Sequence, residues 1–164
     1  GIRIGWVIAS RKNIETLANF SSFGMGGVSH PSQLYAVELL EPTRVARARE
    51  AVDTHYSMQR ARYGEAFEKM GLGVSTGDGG FYHWLRLPEG LNASELNRRL
   101  FRHGAAILEG IDCDMARPHK KDPDYVSPYS SWFRFSFGPL LPEAFEADIA
   151  LLGRVLNEYR ADAG

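Results

Sequence analysis

The chain is 164 residues long, with 44% apolar and 12% aromatic residues and a formal net charge of -1. That length fits one full domain, or one small domain plus a piece of another, with enough apolar material for a packed core. The near-zero charge provides no broad basic field for nucleic acid, and no run of about 18 apolar residues is present to span a membrane. A single cysteine, Cys113, rules out an internal disulfide and fits a reducing compartment such as the cytoplasm.

Taken in order, the chain opens on Gly1-Ile2-Arg3-Ile4-Gly5-Trp6-Val7-Ile8-Ala9, which reads as a buried strand. It has no initiator Met and begins inside that pattern, so the sequence is expected to be a piece of a longer protein. Ser10 and Asn13 suit the start of a short helix through Ile14, Leu17 and Phe20, broken by Gly24-Met25-Gly26-Gly27. That glycine run is neither G-x-G-x-x-G nor a P-loop, and reads as a turn. Ser29-His30-Pro31-Ser32 starts a second helix. From Thr43 to Met70, Val45, Ala48, Val52, Tyr56, Gln59, Tyr63, Phe67 and Met70 recur at spacings of three and four, marking a helix of roughly 40 Å. Pro42 suits its entrance and Gly71 its exit. The arginines at 44, 47, 49, 60 and 62 read as its solvated face.

Short elements follow. Strands are predicted at Leu72–Ser75, Phe81–Leu87 and Ala105–Leu108. A helix starts at the capping-box pair Asn92 and Glu95 and stops at Gly104. Glu109 to Tyr129 is a long irregular stretch of the kind that tends to be functional. Trp132-Phe133-Arg134-Phe135-Ser136-Phe137 alternates so that the three phenylalanines form a face that must be buried, with Trp132, Arg134 and Ser136 on the other. Pro142 to Tyr159 closes the chain as an amphipathic helix.

No self-sufficient catalytic set emerges. The five histidines lack ligand spacing, which predicts no metal site. Cys113 lies between Asp112 and Asp114, neighbours that disfavour a thiolate. No G-x-S-x-G elbow is present. Arg3 and Arg134 stand out, each in an otherwise apolar or aromatic strand. Arg134 either pairs with a neighbouring Asp or Glu or receives a ligand carboxylate on its planar fork. Two such arginines suggest a ligand with two anionic groups.

At this point the sequence resembles a family. Gly1-Ile2-Arg3-Ile4-Gly5-Trp6 is similar to the G-x-R-x-G-[WY] segment that follows the Schiff-base lysine in class I/II (fold type I, aspartate-aminotransferase-like) pyridoxal-phosphate aminotransferases. Arg134-Phe135-Ser136-Phe137 resembles that family's C-terminal R-[FIL]-[SC]-[FL] strand, and Gly79-Gly80-Phe81 its G-x-F segment. Ser29-His30-Pro31 falls where the family reaches across a dimer interface. The resemblance covers the whole chain.

It implies an α/β fold with an α+β small domain: residues 1–41 a remnant of the cofactor-binding large domain, 42–71 the interdomain helix, and 72–164 a small domain with a mixed sheet. It implies pyridoxal 5'-phosphate as cofactor, with Arg3 and Ser29 binding it. Arg134 would bind the substrate α-carboxylate, Phe81 would line the pocket, and the catalytic lysine would lie upstream of Gly1. Amino acids and 2-oxo acids are the implied substrates, in a cytoplasmic homodimer that shares its active site across the interface. The chain as given is then expected to be inactive. Three alternatives stay open: another pyridoxal-phosphate reaction (lyase, decarboxylase or cyclase), the effector-binding domain of a transcription regulator, and a stand-alone interaction domain.

Overall fold

A computed structural model of the chain describes residues 3–116 and 125–164. It divides into two units, Gly1–Ala51 and Val52–Gly164.

In the first unit, residues 3–10 are exposed and form no strand, contrary to the sequence reading. A strand is held by hydrogen bonds to a neighbour, and alternation alone cannot supply one. Residues 1 and 2 of that predicted strand lie outside the described residues. Helix α1 (Arg11–Met25) is capped by Ser10, whose side chain accepts from the Asn13 amide at 3.5 Å. It runs through Gly24 and stops only where Gly26 turns left-handed, φ 71°, a conformation that costs glycine nothing. Helix α2 (His30–Leu39) starts at Ser29 as predicted, with the Ser29 hydroxyl accepting from the Ser32 amide at 3.3 Å. Trp6, Ile8, Phe20 and Phe23 are exposed.

Helix α3 (Pro42–Lys69) opens on a carboxylate clasp: Glu41 accepts from the backbone amides of Thr43 and Arg44 and from the Thr43 hydroxyl, which holds its pKa below the usual carboxylate range. The unit boundary falls within this helix. Its second half presents the predicted face: Gln59, Tyr63 and Phe67 are buried, and Tyr56 is half-buried.

The second unit is built on four strands, β1 (Gly73–Ser75), β2 (Tyr82–Arg86), β3 (Leu108–Glu109) and β4 (Trp132–Ser136), in the order β1-β2-β4-β3. Every neighbouring pair is antiparallel, so the sheet is not mixed as expected. Residues 105–107, predicted as strand, stay outside the ladder. The Ile107 amide is instead held by the Asn97 side chain at 3.0 Å. Helices α4 (Ala93–Phe101) and α5 (Phe145–Ala163) join α3 over the inner face. There Phe133 and Phe137 are fully buried, as the alternation requires, and Phe135 packs between Tyr63 and Phe67 at centroid distances of 5.3 and 4.9 Å. Aromatic rings of this size dominate core energetics, each contributing roughly 1.5–3 kcal/mol when buried.

Beyond β3 the chain enters a 3-10 turn, Gly110–Cys113, where the sequence shows only an irregular stretch. Residues 117–124 of that stretch lie outside the described residues. Its two ends meet at Asp114, which accepts from Tyr125 Oη at 2.8 Å and Ser127 Oγ at 2.6 Å. No helix among the described residues is long and apolar enough to cross a membrane.

Candidate functional site

The register of β2 against β4 sets the site. Tyr82 lies opposite Ser136, Trp84 opposite Arg134, and Arg86 opposite Trp132, so these six side chains share the outer face of the sheet. Arg134 is half-buried there. Among the described residues no carboxylate lies within ion-pair distance of it, and its Nε is buried with no hydrogen-bond partner. A buried donor left unsatisfied costs about 1–3 kcal/mol, and more when charged. Of the two readings open in the sequence, pairing with an internal carboxylate finds no support among the described residues.

What the guanidinium does touch is a ring. Its Cζ stands 4.3 Å from the centroid of Tyr82. Trp84, although directly opposite Arg134, stacks on Trp132 at 5.7 Å and meets Tyr129 edge-on at 6.0 Å. Arg86 stands over the Trp132 ring at 5.8 Å. Sequence reasoning singled out neither Tyr82 nor Trp84. The alternation of Phe81-Tyr82-His83-Trp84 places them on one face, but only the pairing register shows that this is Arg134's face.

Phe81 sits at the entrance to β2 and is half-buried. Its ring packs against Tyr56 at 5.5 Å and Tyr82 at 4.5 Å, and also covers Gly138, where a Cβ would lie 2.5 Å from Phe81 Cδ2. The structure thus joins Phe81 to Arg134 through the Tyr82 ring.

Arg3 and Ser29 belong to the first unit. Arg3 is exposed, with φ 58°, the one described non-glycine residue at positive φ. Such backbone costs on the order of 1 kcal/mol or more and clusters at ligand clamps. Among the described residues no carboxylate neutralises Arg3. Ser29 Oγ accepts from the Ser32 amide and from Ser32 Oγ at 3.0 Å, so its own proton remains available to an acceptor such as a phosphate oxygen.

A cavity of about 430 Å³ opens beside β4 where β3 stops. Arg134, Ala105, Leu140, Asp148 and Leu152 contribute to its lining. On its wall Asp148 accepts from Tyr63 Oη at 2.9 Å. That bond, after burial, pushes the Tyr63 phenol up. Among the described residues no group of three or more His, Cys, Asp or Glu side chains could hold a metal ion.

The sequence and the fold both have relatives. The family described as aminotransferase class I and II matches residues 1–144. An uncharacterized HTH-type transcriptional regulator, YdcR of Escherichia coli (strain K12), is 26% identical over 163 residues, which is 96% of this chain and 32% of the regulator. LL-diaminopimelate aminotransferase of Halothermothrix orenii is 28% identical over 101 residues, covering 62% of this chain and 25% of that enzyme. Among solved structures, LysN, the alpha-aminoadipate aminotransferase of Thermus thermophilus complexed with N-(5'-phosphopyridoxyl)-L-leucine, superposes with a TM-score of 0.73 at 22% identity, over 94% of this chain and 38% of LysN. An archaeal alanine:glyoxylate aminotransferase gives a TM-score of 0.71 at 20% identity, over 96% and 38%. The chain therefore spans between a quarter and two fifths of the length of these relatives.

Proposed function

The chain belongs to the aminotransferase class I and II family, with the fold type I architecture, and from that premise we propose that it is the C-terminal portion of a pyridoxal-phosphate-dependent aminotransferase. The reaction moves an amino group between an amino acid and a 2-oxo acid. The observation that carries this reading is Arg134: a half-buried guanidinium on an aromatic face, with no carboxylate partner among the described residues.

Arg134 binds the substrate α-carboxylate. Because its Nε is enclosed, the carboxylate meets the two terminal nitrogens end-on, through a pair of charge-assisted hydrogen bonds. Phe81, wedged between Tyr56, Gly138 and Tyr82, borders the bound amino acid from the entrance of β2. Arg3 and Ser29 fit a phosphate: one is an exposed cation that no described carboxylate neutralises, the other a hydroxyl at a helix start with a proton to donate. Once bound, pyridoxal phosphate supplies the electron sink for loss of the Cα proton. Arg134 holds the amino acid by its carboxylate, which limits the orientations open to its Cα–H bond. The anchoring lysine would lie upstream of Gly1, and the active site would be completed across a homodimer.

The test is amino-group exchange. Full-length protein incubated with ¹⁵N-labelled amino acids and unlabelled 2-oxo acids should pass the label to the 2-oxo acid. Conversion without label transfer would instead favour a lyase, decarboxylase or cyclase on the same scaffold, since these would use the same two arginines.

A second reading rests on the regulator YdcR, which aligns with 96% of this chain. In that reading Arg134 holds an effector amino acid, and the full-length protein shows amino-acid-dependent DNA binding without amino-group exchange.

A further inference from the structure

Three aromatic residues share the outer face with Arg134, and they are not equivalent. Trp84 and Trp132 lie nearly parallel, with 15° between their rings, and Trp84 also meets Tyr129 edge-on. Tyr82 is the ring that receives the guanidinium, at 4.3 Å. Nε makes no hydrogen bond within the described residues, and none of the ion pairs found among them involves Arg134. The contact found for its guanidinium among the described residues is the Tyr82 ring.

The two interactions are geometrically compatible. A ring face attracts the flat side of a guanidinium, whereas a carboxylate takes hydrogen bonds in the guanidinium plane. Stacking therefore leaves the terminal nitrogens open while removing the rotational freedom that binding would otherwise have to remove. A positioning carboxylate would instead repel the incoming carboxylate and satisfy the arginine in advance. A ring does neither.

We infer that Tyr82 is the positioning residue for the carboxylate receptor, holding Arg134 by its face so that the guanidinium edge is presented to the ligand. The inference rests on the reading of Arg134 as the α-carboxylate receptor. Tyr82 acts through its ring and not its hydroxyl, and it is placed for this by pairing with Ser136, one step diagonal from Arg134 on the same face. At 39% exposure it is not a core residue, so it is open to replacement.

The experiment uses the full-length enzyme with its cofactor, and compares Tyr82→Leu, Tyr82→Phe and Arg134→Ala by KM and kcat for an amino-acid substrate and by cofactor retention. Tyr82→Leu should raise KM about three- to thirty-fold, the range a cation–ring contact supports, with kcat changed less than about two-fold and cofactor retention unaltered. Tyr82→Phe, which keeps the ring, should bring KM back to within about two-fold. Mono-, di- and trifluorophenylalanine at position 82, which progressively drain the ring face, should raise KM in steps, and this series decides the matter if Tyr82→Leu does not fold. Unchanged KM in Tyr82→Leu or across the fluorinated series, while Arg134→Ala raises KM, overturns the role of Tyr82 and leaves Arg134 as receptor. Equal losses in Tyr82→Phe and Tyr82→Leu overturn it too, because they would point to the hydroxyl. If Arg134→Ala itself leaves KM unchanged, the receptor reading fails and the inference falls with it.

Discussion

A charged or polar side chain set among apolar residues poses a question of partners, and three residues of this chain answer it differently. Arg134 lacks a described carboxylate and rests on a ring, which leaves its charge without a counter-ion among the described residues. Asp148 is held by Tyr63 Oη, a structural bond between α3 and α5. His83 is fully buried, with Nε2 3.1 Å from the Arg60 carbonyl and Nδ1 unpartnered among the described residues. A carbonyl only accepts, so Nε2 carries the proton of a neutral ring. Burial is the largest influence and lowers the His83 pKa; the Arg60 carbonyl opposes it, and the Arg60 charge reinforces it. A base whose folded pKa is depressed gives its full stability above the unfolded value of about 6.5 and loses it as pH falls from there towards the folded value. Chemical denaturation at pH 7.0 and 5.5 should therefore show an acid loss in the wild type that shrinks in His83→Gln, by at most about 1.4 kcal/mol per pH unit. Equal losses in both would show that His83 does not titrate with folding. Tyr63→Phe should cost about 1–2 kcal/mol by leaving the Asp148 carboxylate without its donor, read as a drop in denaturation midpoint.

At the scale of elements, what depends on nearby residues was legible in the sequence and what depends on partners was not. The starts of α1, α2 and α4 follow from Ser10, Ser29 and Asn92, because a cap is a bond between residues two or three apart. Even here one local signal was redirected. The Asn92–Glu95 pair predicts a reciprocal box, but Glu95 turns to Arg98 and Arg99, and Arg99 continues to Asp162 on α5. The residues at 3–10 show the other limit: a strand-like pattern remains unpaired in the described chain. Strand ends also rest on contacts that no local pattern reveals. A Cβ on Gly110 would collide with the Tyr129 carbonyl and lie 2.5 Å from the Trp132 carbonyl, both backbone atoms. On Gly138 it would meet the Phe81 side chain, 2.5 Å from Cδ2, with no backbone atom among its three nearest contacts. Gly110→Ala should accordingly cost more stability than Gly138→Ala, about 2–4 against about 1–2 kcal/mol. Thermal unfolding of the two variants checks the order, and a more damaging Gly138→Ala would contradict it.

For the whole molecule, the family was legible because its motifs are short and keep their order along the chain, from Arg3 to Arg134. Arg134 was legible as a residue but not as part of a site: the aromatic face around it exists only once β2 and β4 pair in this register. The two arginines lie in different units of the chain, and in the proposed function they hold different groups of the bound molecules. The direct test is a crossed titration of the full-length protein. Removing one partner of a desolvated charge pair costs about 2–5 kcal/mol, or roughly thirty-fold to several-thousand-fold. Arg134→Ala should weaken amino-acid use by that factor in kcat/KM while retaining pyridoxal phosphate through dialysis. Arg3→Ala should lose the cofactor first. Equal loss of cofactor and amino acid in both variants, or amino-acid affinity untouched in Arg134→Ala, would contradict the account.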